Sequence, residues 1–412
     1  MTTTTTENVH DVALLRDLAR RYLEVCADPV QDQRRALWRQ HNSLVRTRPL
    51  IYVRAYAWEE MPDSRCQCAD PFLRRYEDFF RRQLFWASME DDSIFEPWVT
   101  LPATYVCSGW GLSSGRHYSE EARGSYKNEY AITELADAER MRAPWHEIDE
   151  RATAQNAERL NDLLGDLISV NVDRGPAYRM WTADLSTDLG HLRGIENFML
   201  DMLDNPEWLH HLVKFMSDGV LRTHEQAEAA GDWGLCAHQN QAMPYALELP
   251  DPAANVNGVQ RSLLWGYMAA QEFVAVSPAM HDEFLLQYQL PILSRFGLVA
   301  YGCCEDLTLK IDMLRKIPNL RRIAVAFSAD AARCAEQIGQ DYVFSYRPSP
   351  ADMVGYGWDP ERVHTILTRD LRACRDCHVD ITLKDVETVQ GDRQRVRNWV
   401  IATRRAIDKV WG

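Results

Sequence analysis

The spacing of apolar residues changes several times along the chain, and each change marks an element. Residues 11 to 45 carry apolar stripes at helical spacing, in "VALLRDLARRYLEVC" and again in "QDQRRALWRQHNSLV". They predict an N-terminal helical extension over residues 1–45. "RPLIYVRAYAW" then reads as a strand beginning after Pro49. "DPFLRRYEDFFRRQLFWASM" is a long amphipathic helix, with Asp70 as its N-cap and Pro71 in its first position. "DDSIFEPWVTLPATYVCSG" reads as extended, and residues 109–130, rich in Gly, Ser and Tyr, as a long excursion. One further helix is expected before residue 173, and two more around Pro206.

The second half alternates short apolar runs with amphipathic stretches. "LVAYGCC", "RRIAVAF", "DYVFSYR" and "VDITLKDV" are each followed by a predicted helix. Such alternation means right-handed βαβ units and a parallel sheet. Upstream, "WGLCAHQNQ", "LLWGYMAAQEF", "PLIYVRAYA" and "SIFEPWVTL" bring the expected strands to about eight. Eight parallel strands with intervening helices make an α/β (β/α)8 TIM barrel over residues 46–412, with a doubly wound sheet as the alternative. No Gly-x-Gly-x-x-Gly follows any strand, so nothing supports a dinucleotide site.

Composition narrows the function classes. The 412 residues carry a formal net charge of −14. No basic stripe offers itself to phosphates, so neither a nucleic acid nor a membrane surface is expected as partner. No apolar run reaches the roughly 18 residues of a spanning helix. The polar start "MTTTTTENVH" is unlike a signal peptide, and a cytoplasmic location is expected. The ten cysteines show no framework spacing and read as reduced thiols. Cys66-x-Cys68 and Cys374-x-x-Cys377 are spectators in this reading; the second pair closes a helix, where the dipole disfavours a thiolate.

Catalytic groups of a barrel sit at the carboxyl ends of its strands. Those positions hold Arg54, Asp91, Asp92, His238, Glu272, Cys303, Cys304, Glu305, Asp306, Asp330, Arg347, Lys384 and Asp385. Thiolate, imidazole and carboxylate together form a zinc ligand set. Cys304, next to the turn, is the expected inward thiol, with His238 and Glu272 as further ligands. Each position also has a plain reading. Buried cysteines often act as small hydrophobes, Glu305 and Asp306 suit the start of a helix, and Lys384 with Asp385 suits an ion pair. Glu272 lies among apolar residues, where an acid needs a partner or a role. Arg54 is placed to clamp a substrate carboxylate. Cys107, His117 and Tyr118 in the excursion are weaker candidates.

The last four strand–helix units, with the helix "SPAMHDEFLLQYQLPIL" before them, resemble the uroporphyrinogen decarboxylase superfamily. The marks are the Ser-Pro-x-Met start and the proline inside that helix. The superfamily includes zinc-dependent methyltransferases that move methyl groups between a corrinoid protein and a thiol. "RPLIYVRAYAWEEM" stands where the decarboxylase has an arginine-rich loop, with Arg54 matching its first arginine and Trp58 near its second. Asp92 matches its substrate-binding aspartate, and its last-strand histidine is absent from "DITLKDVET". Cys304 matches a zinc cysteine of the methyltransferases. Gly302 replaces their histidine, and Lys384 and Asp385 stand where their second cysteine lies.

The resemblance implies a zinc-dependent enzyme that transfers or removes a methyl group on a small substrate, with a corrinoid protein as partner. In that reading Arg54, Trp58 and Arg347 hold the substrate. Asp92, Glu272, Glu305, Lys384 and Asp385 supply the chemistry, and a homodimer is an open option. A metal-free lyase centred on Asp92, and a non-catalytic ligand-binding barrel, are the alternatives.

Overall fold

A computed structural model describes residues 9–54, 56–106, 109–120 and 126–412. The strands, in chain order, are β1 (Leu50–Val53), β2 (Trp98–Pro102), β3 (Gly115–Tyr118), β4 (Tyr126–Glu129), β5 (Ser169–Asp173), β6 (Trp265–Met268), β7 (Leu298–Tyr301), β8 (Leu320–Ala326), β9 (Val343–Arg347) and β10 (His378–Leu383). Six of them form one parallel sheet in the order β1-β10-β9-β8-β7-β6, and β2 pairs in parallel with β5. β3 and β4 form an exposed antiparallel hairpin in the Gly/Ser/Tyr-rich excursion.

Among the described residues the chain is therefore α/β, with six strands in one parallel sheet and two more in a separate parallel pair. One of them is not where the residue pattern puts it. "WGLCAHQNQ" is irregular across 237–241, and "SVNVD" supplies β5 instead.

Among the described residues, strand ladders do not join the six-stranded and two-stranded arcs into a closed barrel. Side chains take up the edge groups instead. On β1, the Ile51 and Val53 N–H groups donate to the Asp92 and Asp91 carboxylates, at 2.8 and 2.7 Å. On β5, Asn255 accepts from the Val172 N–H and donates to the Val170 carbonyl. On β6, the Trp265 N–H donates to His238 Nδ1 at 3.2 Å, and its carbonyl accepts from the Gln239 N–H. Edge groups taken up in this way are withheld from a neighbouring strand.

The helices form where propensity and capping agree. Asp70 accepts from the Phe72 and Leu73 N–H groups and opens the helix Pro71–Ala87 as its sequence predicts. The N-terminal helices Val9–Cys26 and Val30–Asn42 pack into the same body. Trp38, fully buried, donates from Nε1 to the Asp92 carbonyl at 2.7 Å. His41 meets the buried Asp380 of β10 at 3.1 Å. Arg322 of β8 donates to Asp380 at 2.6 Å, and Ser345 of β9 donates to its other oxygen at 2.6 Å. A buried ion pair persists only when its remaining polar atoms are met in this way. No helix among the described residues is long and apolar enough to cross a membrane.

Candidate active site at the carboxyl ends of the strands

β7 ends at Tyr301, and the next residue sets the geometry of the site. Gly302 has a φ of +93°, and a Cβ there would lie 2.6 Å from Leu307 Cδ1. Glycine takes up that turn without the strain another side chain would bring. After it, Cys303 and Cys304 no longer alternate like strand residues. Both sulfurs turn to one ammonium: Lys384 Nζ, just past β10, lies 2.6 Å from Cys303 Sγ and 2.7 Å from Cys304 Sγ. The two sulfurs are 3.7 Å apart. Asp385 completes the cluster, accepting from Lys384 at 2.8 Å and from Cys304 Sγ at 3.3 Å. Its φ of +57° is left-handed, a region Asp enters more readily than most residues.

Glu305 holds the turn in place. Its two oxygens accept from the Cys303 N–H at 2.8 Å and the Ala270 N–H at 2.9 Å, tying the β7 turn to the end of β6. The carboxylate is buried and both its oxygens are taken up by backbone N–H groups.

The cluster opens into a cavity of about 490 Å³ lined by Arg54, Trp181, Thr187, Gln271, Glu272, Cys303, Cys304, Lys384 and Asp385. Arg54 stacks over the Trp181 ring at 5.7 Å, and among the described residues its guanidinium forms no ion pair. Trp181 packs edge-on against the buried Tyr267 at 5.1 Å. Glu272 accepts from Ser186 Oγ at 2.7 Å.

The electrostatics follow from the cluster. The hydrogen bond with Cys304 and the charges of Lys384 and Arg347 hold the Cys303 thiol down to about 6, against its burial. Cys304 moves the other way, because losing its proton too would place two negative sulfurs side by side. The pair therefore keeps one proton. Burial disfavours the Lys384 ammonium, but the thiolate and Asp385 outweigh it and raise its pKa.

Of the residues expected at the site, Arg54, Glu272, Cys304, Lys384 and Asp385 line one cavity. Arg347, the last residue of β9, is buried and close enough for its charge to act on Cys303, and its Nε and Nη1 have no hydrogen-bond partner among the described residues. The others lie elsewhere. Asp92 is buried, bonded to the Ile51 N–H and paired with Arg48 at 2.7 Å and Arg404 at 3.4 Å. Trp58 donates to Asp78 at 2.7 Å inside the main core. His238 caps the β6 edge. Asp330 caps the helix Ala331–Ile338 and Asp306 accepts from Thr308. His117 bonds Glu129 within the exposed hairpin, where Tyr118 is also exposed, and Cys107 lies outside the described residues. The cavity adds Trp181, Thr187 and Gln271, which the sequence pattern did not single out. The first two follow β5, the strand it missed.

The proposed ligand set of Cys304, His238 and Glu272 does not assemble. Among the described residues no group of three or more His, Cys, Asp or Glu side chains is placed to hold a metal ion. The nearest arrangement is Cys303, Cys304 and Asp385, and the Lys384 ammonium stands at its centre. With that cation in place, the donors present do not fit a zinc ion.

The chain matches no protein-family model and no curated protein. Among solved structures, it is similar to a methyltransferase from Methanosarcina mazei, with a TM-score of 0.52 and 10% sequence identity. The likeness covers 92% of this chain and 98% of that one. At that identity it is a likeness of fold.

Proposed function

We propose that the chain is a methyl-transferring enzyme for a small anionic substrate, in which Lys384 and Cys303 take the place of a zinc ion. The observation that carries this reading is the 2.6 Å contact between Lys384 Nζ and Cys303 Sγ at the wall of an open cavity. The shared fold with a methyltransferase supports the class of reaction.

Zinc would activate a substrate thiol or hydroxyl by lowering its pKa. Here the Cys303 thiolate, with a pKa of about 6, is the general base present near neutral pH, and the Lys384 ammonium favours the substrate anion. Cys303 takes the proton from the substrate's heteroatom, and Lys384 stabilises the anion that results. That heteroatom attacks the methyl carbon of a donor. The new bond joins heteroatom and methyl, and the pair of the broken bond stays with the donor. In the reverse direction, the Cys303 thiol returns the proton to the departing heteroatom. Arg54, presented on Trp181, anchors the substrate's carboxylate. A corrinoid protein docked over the cavity is the methyl carrier in this proposal. The lyase alternative loses its central residue, since Asp92 is locked to Arg48, Arg404 and the β1 backbone.

The test uses the full chain, methylcobalamin as methyl donor, and a panel of small carboxylates bearing a thiol or hydroxyl. Methylated product is followed by mass spectrometry. Turnover should fall at least about 100-fold in Cys303→Ser and Lys384→Met and be unaffected by chelators. Turnover indifferent to both substitutions, or lost to a chelator and restored by zinc, overturns the proposal.

A further inference from the structure

Proton transfer by Cys303 needs one sulfur, yet the turn after β7 presents two. Adjacent Cα atoms are about 3.8 Å apart, below the roughly 4.4–6.8 Å that relaxed disulfides use. The sulfurs themselves stand 3.7 Å apart, against about 2.05 Å in a disulfide. Closing that bond would strain the turn that Gly302 and Glu305 hold. A single soft atom bonded to both sulfurs spans the gap without closing it, and soft centres prefer thiolate donors.

We infer that Cys303 and Cys304 form a dithiol site for trivalent organoarsenicals, with the cavity beside Trp181 taking the organic group. The Cys303 thiolate attacks arsenic, and the Cys304 thiol forms the second As–S bond. Both bonds from arsenic to oxygen are broken, and the oxygen leaves with the Cys304 proton as hydroxide. Arsenic stays trivalent throughout, so no oxidant or reductant is required. Lys384 favours the first attack by holding one sulfur as thiolate and the second sulfur within reach.

The other close cysteine pairs lack this arrangement. Cys68 is buried, and burial with the nearby Glu77 carboxylate pushes its thiol up to about 12. Cys374 is buried too, and burial raises both it and Cys377, the latter to about 11. Neither pair holds a thiolate near neutral pH.

The probe is phenylarsine oxide added to the reduced, folded chain, with the adduct followed by native mass spectrometry. One phenylarsenic per chain should be gained and two hydrogens lost, and 2,3-dimercaptopropanol should reverse it. Peptide mapping of the wild-type adduct should place it on residues 303 and 304, a readout that does not depend on any variant folding. Cys303→Ser and Cys304→Ser should each abolish the bridged adduct. No adduct, or one mapped to Cys66–Cys68 or Cys374–Cys377, overturns the inference. The adduct forms without turnover, so this outcome and that of the methyl-transfer assay are independent.

Discussion

Lys384 Nζ sits 2.6 Å from Cys303 Sγ, although 81 residues separate the two in the chain. The contact exists because two strand ends meet: the Gly302 turn after β7 and the first residue after β10. Together with the Cys304 hydrogen bond and the Arg347 charge, it holds the Cys303 thiol down to about 6, the value the proposed base needs near neutral pH. It also explains why a lysine follows β10, since an ammonium serves both sulfurs and Asp385 at once.

The activity should depend on pH in one direction over the neutral range. Below about 6 Cys303 is protonated and cannot act as base. The kcat/KM for methyl acceptance should therefore rise with pH through an apparent pKa of about 6 and then level off. Lys384 is raised above its ordinary value, so no fall is expected until well into the alkaline range. A pH–rate profile on a substrate with no ionisation near neutrality checks this, and a flat profile between pH 5 and 8 speaks against the base.

Arg54 should set affinity for the anionic group. It stacks on Trp181 and has no ion pair among the described residues, so its charge is available to a ligand. Arg54→Ala should raise KM about 10- to 100-fold with a smaller change in kcat, the loss expected for one charge-assisted hydrogen-bonded contact. A kcat loss with unchanged KM would give Arg54 a different role.

Asp92 should matter to folding more than to chemistry. It satisfies the Ile51 N–H and neutralises Arg48 and Arg404. Asp92→Asn should cost about 1–3 kcal/mol in urea denaturation, with kcat retained in the folded fraction. Full stability with lost turnover would return Asp92 to the list of catalytic residues.

Asp380 ties together Arg322, His41 and Ser345 in the buried interior. Burial opposes its ionisation, and Arg322 and His41 overcome this and hold its carboxyl below the ordinary range. A depressed carboxyl stabilises the fold above its unfolded pKa, and that contribution is lost as pH falls through the folded value. Asp380→Asn should cost about 3–5 kcal/mol near neutral pH and flatten the acid side of the stability curve. Equal stability of variant and wild type near neutral pH would show that the pair contributes little.

Much of this was legible in the residue pattern, for identifiable reasons. β7 to β10 are short runs rich in Val, Ile, Phe and Tyr, each followed by an amphipathic stretch, and their carboxyl ends put Cys304, Lys384 and Asp385 at one mouth. β5 escaped because "SVNVD" follows directly on the helical run that ends in "LLGDLI", so the segment reads as part of it, and Asn171 leaves it only short apolar stretches of its own. That side chain is buried on bonds to Thr100 and the Asn255 N–H, which are distant in sequence. Without β5, the segment carrying Trp181 and Thr187 had no reason to stand out. His238 misled in the opposite way. Its polar run looked like a strand end, but the imidazole accepts a backbone N–H at a sheet edge. Lys384 and Asp385 read as an ion pair, and they are one; that the same ammonium also reaches two sulfurs depends on strand packing alone.

The most direct measurement is the pH dependence of Cys303 alkylation, followed by peptide mass spectrometry in wild type and in Lys384→Met. The wild-type rate should reach its half-maximum near pH 6, and loss of the ammonium should move that point upward. A wild-type thiol that titrates near 9.0, its ordinary value, or a midpoint unmoved by the substitution, would contradict the account.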